Sequence, residues 1–382
     1  METIRLKIFD ETLRDGEQQV GIFFDEKTKY TLANLINQTG VHHIALMPAV
    51  HNTEAALVIH LVERGFSKTL AASTMMGKKY IDESIACGVK TIILFNGVSD
   101  RLLWLRDSEF RDRILPEKIV SSTINRIRQK ALTKIIDNLK YAHSKGLKIC
   151  FAAEDASRAD FDFLVECITK FQSYIDHFIL CDTVGILNPE DTKIWVRNLV
   201  DFTENQVPLT VHFHNDRGLA LENTIQAILA GATGISGTFG GIGERAGNAA
   251  IEQVLHGLRL RYGWEVAGIN YDALTKVTQY LSSQRFVANP PYSPESLRYE
   301  TGIHVESLLR DHHSYYLFAG HQPEIWFGKF SGASNLKYLF EKQLNQPQSN
   351  ETYQKLREKI KQLSIQKKCS FSLQEIISIL NL

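Results

Sequence analysis

Eight short apolar runs, each followed by a longer stretch with helical spacing, fill the first two thirds of the chain. This alternation limits the possible folds more than any other feature. The runs Ile4–Phe9, Val41–Leu46, Leu70–Ser73, Thr91–Phe95, Ile149–Ala152, His177–Leu180, Leu209–His212 and Gly234–Gly237 read as strands. The spacing predicts helices over Asp25–Gln38, with Asp25 as cap, and over Thr53–Glu63, Lys78–Cys87, Glu117–Ser144, Phe161–Phe171, Glu190–Leu199, Leu219–Ala230 and Asn248–Arg259. Eight such pairs in about 260 residues are the arithmetic of an α/β protein built as a (β/α)8 TIM barrel. An open doubly wound sheet also alternates, but eight units at this length favour closure. Past Gly263 the alternation stops. Residues 271–285 read as one more helix, the prolines of Asn289-Pro290-Pro291-Tyr292-Ser293-Pro294 break the chain, and charged helical stretches follow at Asn335–Gln343, Glu351–Leu363 and Leu373–Leu380. The expected division is a barrel with its trailing helix (1–285), a linker with a small subdomain (286–330), and a helical C-terminal subdomain (331–382).

In a barrel of this kind the chemistry sits where strands end. The seventh strand ends in Val211-His212-Phe213-His214-Asn215-Asp216. Residues two apart on a strand point the same way, so both imidazoles can converge on one divalent cation. A bland alternative has one histidine capping the sheet edge and the other at the surface. The first strand ends in Asp10-Glu11-Thr12-Leu13-Arg14-Asp15-Gly16-Glu17-Gln18, where Asp15 would add a hard oxygen ligand and Arg14 a permanent cation for a developing enolate. Read alone, this segment is equally a solvated polar loop. These ligands accept Mg²⁺, Mn²⁺ or Zn²⁺. The eighth strand leads into Gly240-Gly241-Ile242-Gly243-Glu244-Arg245-Ala246-Gly247-Asn248, where glycines let backbone approach a phosphate or carboxylate.

The 43 basic and 43 acidic side chains balance, giving no electrostatic reason to expect a nucleic acid or an anionic membrane as partner. Five scattered cysteines without Cys-x-x-Cys spacing read as reduced thiols. With no signal-peptide pattern and no run long enough to span a bilayer, a cytoplasmic protein is expected.

Together, Asp-Glu-Thr-Leu-Arg-Asp-Gly-Glu-Gln, His-Phe-His-Asn-Asp and Gly-Ile-Gly-Glu-Arg-Ala-Gly-Asn resemble, over nearly the whole chain, the metal-dependent barrel enzymes that comprise isopropylmalate, homocitrate and citramalate synthases and hydroxymethylglutaryl-CoA lyase. Glu-Asp-Ala-Ser-Arg-Ala-Asp and Asp-Thr-Val-Gly-Ile-Leu look most like bacterial homocitrate synthases. Thr-Gly-Ile-His-Val matches an element that the synthases carry after the barrel and the lyases lack. The resemblance implies a Claisen-type condensation of acetyl-CoA with a 2-oxo acid to give a 2-substituted malate. It implies that Asp15, His212 and His214 hold the metal, with Asn248 as a possible further ligand. Arg14 would sit on the keto oxygen, Gln18, Glu154 and Thr183 would position the substrate, with Glu154 and Thr183 also assisting proton transfer, and His304 with Tyr315 would deprotonate the acetyl group. In the family this pair reaches the neighbouring subunit's barrel, which implies a homodimer. Gly241, Gly243, Glu244 and Asn248 would lie near the acyl-CoA.

Departures from the family pattern cluster around the substrate tail. Ala45 and Leu46 stand where an acidic residue is usual, Leu102 where several relatives have histidine, and Cys150 where lysine-pathway homocitrate synthases have arginine. Phe330, Arg217 and Tyr299 also depart. With Ala152, the first four would present an apolar wall, so the expected substrate is a bulky apolar 2-oxo acid, branched or aryl, unless Arg217 or Arg101 reaches in to hold 2-oxoglutarate. A homocitrate synthase using 2-oxoglutarate, a hydroxyacyl-CoA lyase or aldolase, and a silent metabolite-binding homologue stay open as alternatives.

Overall fold

The computed structural model describes residues 1–110, 113–204, 206–316 and 322–382. Eight parallel strands close into a barrel in chain order: β1 (Lys7–Asp10), β2 (His43–Leu46), β3 (Leu70–Met75), β4 (Thr91–Gly97), β5 (Lys148–Glu154), β6 (His177–Asp182), β7 (Leu209–Phe213) and β8 (Gly234–Gly237). β1 pairs with both β2 and β8, which completes the ring. The first apolar run is split, because Glu2–Ile4 leaves the barrel and pairs in parallel with Trp264–Val266.

Around the strands lie α1 (Glu26–Asn37), α2 (Asn52–Glu63), α3 (Lys78–Ala86), α4 (Asp100–Arg106), α5 (Ser121–Ser144), α6 (Phe161–Phe171), α7 (Pro189–Thr203), α8 (Ala220–Leu229) and α9 (Ile251–Tyr262). Asp25 caps α1 as expected, its Oδ1 accepting from the Thr28 N–H at 2.8 Å. α9 starts three residues later than predicted, since Asn248 and Ala250 are held in β-bridges to His214 and Thr238. α4 was not predicted at all.

Strand parity sorts the core. Ile92, Leu94, Phe151 and Phe178 face outward into the layer beneath the helices. Phe9, Ala45, Ala71, Ile93, Cys150, Ile179 and Cys181 form a separate cluster inside the ring, with Ala152 against it. Alanine at 45, 71 and 152 keeps that interior from filling to the top.

After α10 (Tyr271–Ser283) the linker is tied to the barrel loops. Gln19 Nε2 donates to the Val287 carbonyl at 2.7 Å, and Asn289 Nδ2 donates to the Arg245 carbonyl at 2.9 Å. A two-residue parallel pair (Arg298–Tyr299 with Glu324–Ile325) and α11 (Gly302–Arg310) precede α12 (Ala333–Lys337), a π-helical turn (Tyr338–Gln343), α13 (Asn350–Lys367) and α14 (Leu373–Leu380). This region is joined to the barrel by a buried ring of four charges. Lys29 Nζ lies 2.5 Å from both Glu17 and Glu54, and Lys329 Nζ lies 2.9 Å from Glu17 and 2.6 Å from Glu54. Among the described residues, no helix is long and apolar enough to cross a membrane.

Candidate active site

On β7 the inward parity runs through Thr210, His212 and His214, so each step of two brings a side chain nearer the open end of the barrel. Thr210 is deepest, its hydroxyl 3.3 Å from His177 Nδ1. His212 and His214 place their Nε2 atoms 3.3 Å apart, and Asp15 Oδ2 lies 3.9 and 3.8 Å from them. All three ligand atoms fall within 4.8 Å of one another, and all three residues are buried. Burial pushes both imidazoles below their ordinary range, so they are neutral, with lone pairs available. Burial alone would raise Asp15, but the Arg14 guanidinium, helped by the hydrogen bond from Asn248, outweighs it and keeps the carboxylate ionised well below its usual range.

The surrounding groups fix these ligands in place. Asp15 Oδ1 accepts from Asn248 Nδ2 at 2.9 Å and from the Glu244 N–H at 3.1 Å, which turns Oδ2 toward the histidines and Arg14. His212 Nδ1 is 3.2 Å from Ser236 Oγ, which lies 3.4 Å from Glu11 Oε1. Glu11 also accepts from Arg14 Nε at 2.7 Å. Such partners orient metal-binding side chains. A divalent cation fits here on the structure's own terms: two neutral imidazoles and an ionised carboxylate converge, and Asn248 Oδ1 is buried without a hydrogen-bond partner.

Above the ligands is a cavity of about 120 Å³. Its polar lining includes Arg14, Gln18, Glu154, Thr183, Glu244 and His304, and its apolar lining Met47, Ile93, Phe95, Ala152, Ile179 and Ile303. Cys150, expected at the substrate, is not in that lining. It has the right parity but sits one layer lower, packed with Phe9 and Ala45 in the barrel interior. Leu46 and Leu102 face the helix layer, not the cavity. Arg217 donates to the Ile186 carbonyl, and Arg101 pairs with Asp311, so neither expected cation enters.

His304, at the start of α11, stacks on Tyr315 with ring centroids 4.0 Å apart. Its Nδ1 lies 2.8 Å from Glu244 Oε2 but is too poorly aligned to count as hydrogen-bonded. The Tyr315 hydroxyl donates to Glu154. Arg106, at the end of α4, donates to both Glu154 oxygens and to Tyr315 Oη, the last at 2.7 Å. Burial would raise Glu154, but Arg106 and its neighbours hold it down at about 2. It is therefore an anion at neutral pH, poorly suited to the proton-transfer role expected of it. The pair His304/Tyr315 was expected to serve a neighbour. In this single chain it closes over its own barrel, fastened by Arg101 to Asp311 and by Arg158 to the His313 and Ser314 carbonyls.

The Gly-rich loop has a different place from the expected cradle for acyl-CoA. A Cβ on Gly243 would lie 2.1 Å from Asn248 Nδ2 and 2.5 Å from Asp15 Oδ1, and one on Gly247 would lie 1.9 Å from the Gly241 carbonyl oxygen. The glycines let this loop fold tightly against Asp15. Gly241 and Gly243 are buried and line no part of the cavity. Sequence reasoning also missed Arg106, Glu11 and Arg245, a fully buried guanidinium that binds both Asp216 oxygens and the Thr183 carbonyl.

Residues 5–281 match the family described as HMGL-like. Among curated proteins the chain is 32% identical to a homocitrate synthase of Methanothermobacter thermautotrophicus, over 88% of this chain and 84% of that one. It is 31% identical to a 2-isopropylmalate synthase of Sulfurisphaera tokodaii, over 89% and 86%. It is 30% identical to a putative (R)-citramalate synthase of Archaeoglobus fulgidus, over 88% and 67%. Three differently named synthases at nearly equal identity do not single out one of them. The fold is also that of a hydroxymethylglutaryl-CoA lyase from Pseudomonas aeruginosa, with TM-score 0.59, 18% identity, and coverage of 77% of this chain and 97% of that one. The chain therefore belongs to the HMGL-like family, in the broad group of isopropylmalate, homocitrate and citramalate synthases.

Proposed function

We propose that the chain condenses acetyl-CoA with a 2-oxo acid carrying a branched apolar tail and then hydrolyses the thioester, releasing CoA and a 2-substituted malate. The observation that carries this reading is the Asp15–His212–His214 cluster at the floor of a cavity that His304 also lines. A divalent cation bound there would act as a Lewis acid on the keto group.

The chain's own residues supply the rest. Arg14 Nη1 is held by Asp15 Oδ2 at 3.0 Å beside the cavity, where its charge can meet the oxygen that becomes negative. Thr183 Oγ1 accepts from the Asp155 N–H at 2.8 Å, so its own proton is free for the substrate carboxylate. His304 has Glu244 beside Nδ1, which leaves Nε2 to take a proton from the acetyl methyl group while Glu244 stabilises the resulting imidazolium. The enolate carbon then bonds to C2 of the 2-oxo acid, and water cleaves the thioester. Glu154, fixed as an anion, positions Tyr315 and through it the plane of His304.

The tail is read from what is missing and from the apolar lining. The cations near the cavity are engaged: Arg106 by Glu154, Arg101 by Asp311. A distal carboxylate would be buried without a partner, at several kcal/mol. Met47, Ile93, Phe95, Ala152, Ile179 and Ile303 give the cavity an apolar wall against which a branched aliphatic tail can pack. The ratio of kcat/KM across 2-oxoisovalerate, pyruvate, phenylpyruvate and 2-oxoglutarate tests this. A tenfold or greater lead for 2-oxoglutarate rejects the apolar pocket. The assembly is proposed as a homodimer, since the contacts of Asp311, His313, Ser314 and Tyr315 with Arg101, Arg158 and Arg106 can be made as well by a neighbour's barrel.

A further inference from the structure

The catalytic cavity is not closed off. Gln18, Met47, Thr301 and Ile303 line it and also line a much larger cleft of about 1300 Å³ between the α2–α3 side of the barrel and helices α11–α13. Small-molecule sites usually span ~300–1,000 Å³, so a short 2-oxo acid gives no reason for such a volume. A long co-substrate whose reactive end enters the cavity does.

The far end of the cleft is cationic. Arg357 and Lys361 are one turn apart on α13 and both line it, as do Val50, His51 and Asn52 at the start of α2. Lys361 Nζ donates to the Val50 carbonyl at 2.8 Å, which brings α13 against that helix start. His51 Nδ1 caps α2 by accepting from the Thr53 N–H at 3.2 Å. The twelve-residue α2 thus points its positive end toward the two cations. Glu358 pairs with Arg357, whereas Lys361 makes no ion pair among the described residues. Burial, with the like charge of Arg357, lowers the Lys361 ammonium to about 8. Like charges one turn apart repel; Glu358 offsets Arg357, whereas Lys361 is met by the Val50 carbonyl alone among its hydrogen-bond acceptors in the described residues. The glycines of the Gly240–Gly247 loop, the other place considered for acyl-CoA, line neither opening, and of that loop Glu244 alone reaches the catalytic cavity.

Building on the synthase reading, we propose that Lys361, Arg357 and the start of α2 anchor the phosphates of the CoA thioester, with its pantetheine arm running past Met47 and Ile303 to bring the acetyl group to His304. Calorimetric titration with CoA, 3′-dephospho-CoA and pantetheine as probes tests it. The wild-type protein should bind CoA at least about tenfold more tightly than pantetheine, less so at high salt. Lys361→Gln and Arg357→Gln should each weaken CoA by about tenfold while pantetheine and the 2-oxo acid bind as before, and Lys361→Arg should recover most of the loss. Circular dichroism and melting check that the variants fold. Equal binding of CoA and pantetheine, or Gln variants that bind CoA like wild type, would overturn the anchor. If wild type turns over acetyl-CoA while those variants are unaffected, the anchor alone fails. If wild type neither binds CoA nor releases it with any 2-oxo acid, the synthase reading fails with it.

Discussion

Lys329→Met removes one cation from a buried ring of two lysines and two glutamates. The four side chains are 1–8% exposed, so the two carboxylates would be left to share Lys29 away from water. Breaking a buried pair by deleting one partner costs about 3–5 kcal/mol, because a charge stays behind unpaired. The pH dependence gives a sharper signature. In the wild type, burial would raise Glu54, but Lys29 and Lys329 together hold it below the usual carboxylate range. Its contribution is thus complete above the unfolded pKa and lost as pH falls through the folded one. In the variant, a buried excess carboxylate has its folded pKa raised. The penalty then grows as pH rises past ~4.5 and shrinks as pH falls. Denaturant unfolding of both proteins at several pH values should show a deficit of about 3–5 kcal/mol at pH 7 that narrows by pH 5. Adding Glu54→Gln should recover much of it. The damage should also reach the chemistry, because the Phe330 carbonyl accepts from the Gly302 N–H at 3.1 Å and Ser334 Oγ donates to the Gly302 carbonyl at 2.6 Å, next to His304. A deficit under about 1 kcal/mol, or one constant from pH 7 to 5, would refute the reasoning.

Asp15→Ala and His212→Ala should lose divalent metal in equilibrium dialysis. His304→Ala should keep metal and 2-oxo acid binding while kcat falls about 10²–10⁴-fold; near-normal turnover would mean that another group is the base. Gly243→Ala should abolish metal affinity without touching substrate, since its Cβ would strike both Asn248 and Asp15. Arg106→Met should release Glu154 from its value of about 2, so that burial carries its folded pKa up. A second acid-side ionisation, in addition to that of the base, should then enter the kcat profile, at a position ordinary for a carboxylate or higher. Mixing His304→Ala with Asp15→Ala chains should regain activity only if the pair acts on a neighbour's barrel, and should stay silent if each chain completes its own.

The barrel was legible because parity and period are local. Phe161–Phe171 and Gly234–Gly237 fall where the spacing predicts them, and the step of two that aims His212 and His214 inward is a property of any strand. Depth along a strand is not local. Cys150 was placed at the substrate because relatives carry an arginine there, but it lies four residues before the end of β5, in the packed barrel interior, although its inward direction was right. Leu46 was misplaced by parity, standing next to the inward Ala45. Arg106 was missed because α4 is only seven residues long. Its signals were present: Ser99 as cap, Asp100 in the first turn and Arg106 in the last. The role of the Gly-rich loop depends on a contact between Gly243 and Asp15, more than 200 residues apart, which spacing cannot reveal. The charge ring has the same origin, joining Glu17, Lys29 and Glu54 to a lysine from beyond the barrel.

The most direct measurement of the central claim is release of free thiol from acetyl-CoA by metal-loaded protein given 2-oxoisovalerate, with the carbon product identified by mass spectrometry. The account predicts one CoA per 2-substituted malate, with turnover abolished by a chelator and restored by divalent metal. Absence of thiol release with 2-oxoisovalerate, pyruvate, phenylpyruvate and 2-oxoglutarate alike, from protein shown to hold its metal, would contradict it.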